Sequence, residues 1–78
     1  MKSFFEMKDI FPIRLKNARK MRGMSLRKLS EKMGGEVSAN ALAKYERGEI
    51  FPSSRVMIKL ASVLELRIDD FFRKSGKH

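Results

Sequence analysis

Asn40 and Lys44 are the side chains of this sequence best suited to a specific chemical task. They stand four residues apart, which puts them on one face if the segment is helical. An amide that donates and accepts together can pair twice with adenine. An ammonium suits the N7 and O6 acceptors of guanine. This is the chemistry of reading base edges; no covalent bond is made or broken in it. Both residues follow Ser38, inside the stretch SLRKLSEKMGGEVSANALAKYERG from Ser25 to Gly48. The stretch reads as two short helices joined by a glycine-containing turn. Each helix has a serine where an N-cap belongs and a glycine where a helix stops. In a strongly basic chain, such a pair is a common way to place one helix in the DNA major groove.

Composition narrows the alternatives. Eighteen Lys and Arg against nine Asp and Glu give a net charge of +9, which favours a polyanion or an anionic membrane surface. The membrane reading fails on pattern, because each helix commits its apolar stripe to one core. No apolar run approaches the ~20 residues that span a bilayer, and MKSFFEM is interrupted by Glu6, unlike a signal peptide. The absence of cysteine excludes disulfides and Cys-based zinc sites and fits a reducing cytoplasm. The single histidine, His78, is the last residue, so no imidazole cluster can form. No nucleophile–base pair, phosphate loop or ligand set is visible, so neither an enzyme nor a bound cofactor is expected. The 78 residues imply one domain, which buries only roughly 60% of its unfolded surface. The six methionines read as gap-filling core residues.

The elements that must position Asn40 and Lys44 follow from periodicity. Residues 1–10 read as an N-terminal arm or a turn of helix covering the core. Asp9 is a candidate N-cap, with Pro12 in the first turn that follows. Phe11, Leu15 and Ala18 keep helical spacing up to Gly23. Ser25 caps a second helix carrying Leu26, Leu29 and Met33 and ending at Gly34. Gly34, Gly35 and Glu36 form the turn, and Val37 enters the core. Ser38 caps a third helix with Leu42 and Tyr45 inward. Ser53 or Ser54 caps a fourth with Val56, Met57, Leu60, Ala61 and Leu64 inward. Ile68, Phe71 and Phe72 suggest a short fifth helix as a lid, with Asp69 and Asp70 at its favourable end. The organisation is an arm over residues 1–10, a domain over 11–73 and a basic tail over 74–78. No segment has a period of two, so the class is all-α.

These residues resemble the lambda-repressor-like, Cro/C1-type (XRE family) helix-turn-helix domains. The likeness rests on RLKNARK at 14–20, Gly23, Ser25, Leu29–Ser30, Met33–Gly34, Val37–Ser38, YERG at 45–48, Pro52, Leu60–Ala61 and LELRIDDFF at 64–72. It covers about residues 13–72, and the ordered set is more specific than any single piece. The resemblance implies a five-helix bundle whose second and third helices form the helix-turn-helix. It implies an internal salt bridge between Arg19 and Glu46. It assigns base contacts to Ala39, Asn40, Ala41 and Lys44, the alanines able only to touch a thymine methyl. Phosphate contacts fall to Ser25, Arg27, Lys28, Ser38 and Arg47.

Two departures stand out. Leu26 occupies a place where many members have Gln. The turn is two residues longer than usual, and its GlyGlu adds a flexible residue and a negative charge near the DNA-facing side. The implied function is a sequence-specific transcriptional regulator, a repressor acting as a homodimer on double-stranded DNA in the cytoplasm, bacterial or phage-encoded. The alternative is an antitoxin or partner-binding module working with a separate toxin or sensor protein. Phe4, Phe5, Phe71 and Phe72 are candidates for a dimer surface or for the core lid.

Overall fold

The computed structural model describes residues 4–72, with side chains from residue 10 onward. Four helices follow one another: α1 (Phe4–Met21), α2 (Leu26–Lys32), α3 (Ala39–Glu46) and α4 (Ser54–Val63). A 3-10 turn at Ile68–Phe71 closes the described chain, and no strand occurs among the described residues. The all-α class stands, but the fifth element is a single tight turn where a helix was expected. Its local bonds span three residues: the Phe72 N–H donates to the Asp69 carbonyl at 3.0 Å. The Asp70 carboxylate accepts from the Arg67 N–H at 2.9 Å.

The first helix also differs from expectation. It begins at Phe4, so Asp9 lies within it and does not cap it, and Pro12 sits in its interior. The backbone of residues 4–10 continues the helix. An interior proline forfeits one backbone hydrogen bond. Here Pro12 is buried with its ring beside Gly48, a packing contact that offsets that loss. Residues 1–3 and the tail from 73 onward lie outside the described residues, as do the side chains of Phe4 and Phe5.

One core joins all five elements. Phe11, Leu15, Leu29, Met33, Leu42, Leu60, Leu64 and Phe71 are fully buried, each worth about 1.5–3 kcal/mol relative to exposure. Phe11 is the hub, edge-on to Phe51 at 5.3 Å and to Phe71 at 5.1 Å. Phe72 packs partly against the same cluster. The C-terminal aromatic pair therefore belongs to the lid, and a fully buried Phe71 offers no dimer surface. Met33 and Met57 fill the core as expected, whereas Met21 is 84% exposed.

Helix boundaries follow local chemistry. Ser25, Ser38 and Ser53 each turn a hydroxyl oxygen onto a first-turn N–H, at 3.0, 3.0 and 3.3 Å. Such caps contribute about 1 kcal/mol each. At the end of α2 the Gly34 N–H bonds the Glu31 carbonyl at 2.9 Å and the Gly35 N–H bonds the Ser30 carbonyl at 3.0 Å. This pairing satisfies the last carbonyls and needs a left-handed residue. Gly34 and Gly35 supply two in succession, at φ +74° and +78°. At the end of α4 the same pairing is made by Glu65, at φ +57°, where a side chain costs about 1–2 kcal/mol.

Candidate nucleic-acid interface

The third helix is amphipathic in the strict sense that its two faces have separate duties. Leu42 and Tyr45 are buried, and burial pushes the Tyr45 phenol above its ordinary pKa. Asn40 is exposed on the opposite side, with Ala39 and Lys44 half-buried. Ala41 is also half-buried and packs against the core, so it stands at the margin of the exposed face. Ser38 caps the helix through the Ala41 N–H, which leaves its own O–H free to donate.

The far end of α3 is fastened to α1. Arg19 Nε donates to Glu46 Oε2 at 2.6 Å and Nη2 to Oε1 at 3.0 Å. Its Nη1 donates to the Met24 carbonyl at 2.7 Å. The two side chains are only 10% and 6% exposed. The Glu46 carboxylate holds the guanidinium charged, above its usual pKa, against the opposing effect of burial. Desolvation offsets much of the attraction in such a pair. Its forked geometry nonetheless sets where α3 ends relative to α1.

The phosphate candidates Ser25, Arg27, Lys28, Ser38 and Arg47 are all exposed. Ser25 caps α2 through the Lys28 N–H, and Lys28 lies 4.0 Å from Glu31, the outer limit of an ion pair. Arg47 is already engaged: its Nε and Nη2 donate to the Glu49 carboxylate at 2.6 and 3.3 Å. This pairing holds the Glu49 carboxyl below the usual range. Leu26, at the unusual position, is half-buried and packs against the core. It substitutes apolar contact for the polar function expected there.

The lengthened turn differs most from expectation. Ser30 Oγ donates to the Val37 carbonyl at 2.6 Å, and Val37 is itself buried. Glu36 pairs with Arg55 and, at 3.2 Å, with Lys59. The two cations stand four residues apart on α4, so they share a face. Lys59 above all holds the Glu36 carboxyl below its usual range against an opposing effect of burial, and Arg55 adds to it. The turn expected to carry a flexible residue and a negative charge is thus pinned to α2, to the core and to α4. Exposed pairs of this kind add little to stability. Sequence reasoning saw the charge of Glu36 but not its partners. The one available signal was the i,i+4 spacing of Arg55 and Lys59.

Away from this surface, a cleft of about 260 Å³ is lined by Arg14, Asn17, Ala18, Met21, Arg22, Leu66 and Asp70. Its cations face inward to backbone: Arg14 donates to the Asp70 carbonyl and Arg22 to the Ala18 carbonyl. Among the described residues, no helix is long and apolar enough to cross a membrane.

A capped helix pair, an exposed polar face on its second helix and a salt bridge closing its far end define a helix-turn-helix architecture. Residues 15–71 match the helix-turn-helix family of the Cro/C1 (XRE) type, and the chain belongs to that family. It is accordingly a DNA-binding helix-turn-helix regulator. No curated protein and no solved structure gives a significant match.

Proposed function

We propose that the chain is a sequence-specific repressor that lays α3 in the major groove of an operator. The observation that carries this reading is the polar face of α3, with Asn40 exposed, Lys44 half-buried one turn on and the opposite face buried. Asn40 and Lys44 read bases, Ala39 and Ala41 lie against thymine methyls, and Ser25, Arg27, Lys28, Ser38 and Arg47 grip the backbone. The protein acts in the cytoplasm as a homodimer on an inverted repeat, with half-sites about one helical turn apart. Occupying the operator would exclude polymerase.

A gel-shift titration on promoter fragments from the protein's own locus tests this. A discrete complex should form at concentrations where random duplex stays free. With ~6 phosphates neutralised by a dimer, the log–log salt slope should lie near −5. Equal affinity for operator and random duplex at every salt concentration would overturn the proposal. In vitro selection of the preferred sequence would then reveal symmetry and spacing together.

A further inference from the structure

The lengthened turn adds a carboxylate, Glu36, close to the start of α3. Glu36 is two residues from Ser38, so at most about 7 Å of chain separates it from the start of α3. Its partners Arg55 and Lys59 are in contact with it. Backbone, side chain and ion-pair contact together place all three charges within about 15 Å of the α3 amino end, comparable with the ~10 Å Debye length at 0.1 M salt. Arg55 and Lys59 are 78% and 45% exposed, while Glu36 is 29% exposed. The cations face solvent more than the carboxylate does, and both spend a donor on it.

We propose that Glu36 is a selectivity residue that acts as an internal stand-in for phosphate, withholding Arg55 and Lys59 from the DNA backbone. This inference rests on the repressor reading above. Phosphate contacts carry no sequence information and supply essentially all of non-specific binding. A carboxylate that neutralises cations beside the reading helix therefore weakens attachment to random duplex. It also sets like charge against any backbone brought in at the wrong register, a penalty that suppresses wrong partners. A correctly docked operator keeps its base contacts and loses proportionately less. The usual turn of the family is two residues shorter. Here the second left-handed glycine, Gly35, makes the extra length fold back so that Glu36 meets α4.

Equilibrium binding to operator and to random duplex across a salt series, using the full chain, tests this. Glu36→Gln should steepen the log–log slope by ~0.9 per protomer, the value of one phosphate contact. At 0.1 M salt that corresponds to about an eightfold gain in affinity for random duplex, fading toward 1 M. The ratio of operator to random affinity should fall. Glu65→Gln removes the same charge at the other end of α4, about 15 Å along the helix from Arg55, and should leave the slope unchanged. In a background of Arg55→Ala and Lys59→Ala, the gain from Glu36→Gln should disappear.

An unchanged slope in Glu36→Gln would overturn the inference. So would an equal gain in Glu65→Gln, which would mark a mere effect of net charge, or a gain that survives without Arg55 and Lys59. Failure of the wild-type chain to bind any duplex would instead reject the repressor reading itself, and the inference with it. Melting curves of each variant exclude loss of folding as the cause.

Discussion

The two ends of α3 use the same kind of ion pair under opposite conditions. At its carboxyl end, Glu46 meets Arg19 in a forked contact that solvent barely reaches. Just before its amino end, Glu36 meets Arg55 and Lys59 in the open. The buried pair adds little net energy but cannot be half-removed without stranding a charge, so it sets geometry. The exposed pair can be removed at almost no cost to stability, so its consequences lie in the field it creates. One end of the helix is fixed; under the proposed reading the other meets DNA with a controlled charge.

The comparison can be broken most decisively at the amino end. Asn40→Ala combined with Lys44→Ala should cost about 3 kcal/mol of operator affinity, roughly a hundredfold, since a good bidentate contact gives about 1–3 kcal/mol of discrimination. Binding isotherms would show this beside an unchanged melting curve. A variant that retains full operator affinity would mean that α3 reads DNA through other residues.

At the carboxyl end the expected order is reversed. Arg19→Ala should lower stability by about 2 kcal/mol, less than for a deep interior pair because solvent is never more than a layer away in so small a domain. That corresponds to about 10 °C in melting temperature. Glu46→Gln together with Arg19→Ala should cost less than the two single changes summed, because no unpaired charge remains. Strict additivity in thermal melts would dissolve the distinction between the two ends.

A smaller effect sharpens the role of the turn. A Cβ at Gly35 would meet no neighbouring atom, so Gly35→Ala carries only the left-handed backbone penalty of about 1 kcal/mol. Denaturant titration should detect it. A neutral result would mean that the turn relaxes away from φ +78° at little cost.

The smallest effect is on pH dependence. Glu36 and Glu49 have carboxyls held below the ordinary value of 4.5 by Lys59 and Arg55 and by Arg47. The stability each adds is fully present above about pH 4.5 and is lost as pH falls through the lower folded-state value. Melts from pH 6 down to pH 3 should decline slightly less in Glu36→Gln than in the wild-type chain.

Local chemistry was legible in the sequence where one residue type has one reason to be present. Ser25, Ser38, Gly34 and Gly48 mark helix ends because caps and left-handed stops admit few alternatives. The apolar spacing of Leu29, Met33, Leu42 and Leu60 placed the core for the same reason. The start of α1 was misread because Pro12 usually opens a helix, and only packing with the rest of the core reveals that it can sit inside one. Arg19 and Glu46 are 27 residues apart, and nothing local joins them; the family resemblance alone suggested the pair. The clamp of Glu36 was unreadable because its partners lie 19 and 23 positions away on a helix whose rotation depends on the whole core.

The brevity of α3, eight residues, reaches beyond recognition. An isolated helix below about 12–15 residues is marginal in water, so α3 has no independent existence outside the packed domain. Its inner hydrogen-bonded amides, packed on α1 and α2, should exchange mainly through cooperative opening of the domain as a unit. DNA grips only the folded form, and a ligand of that kind stabilises every part of the unit by the same mass-action factor. An operator held by α3 should therefore slow hydrogen exchange in distant α1 as much as in α3 itself. Release from the operator and exposure to proteolysis are thereby linked, because the free folded chain opens more often than the bound one.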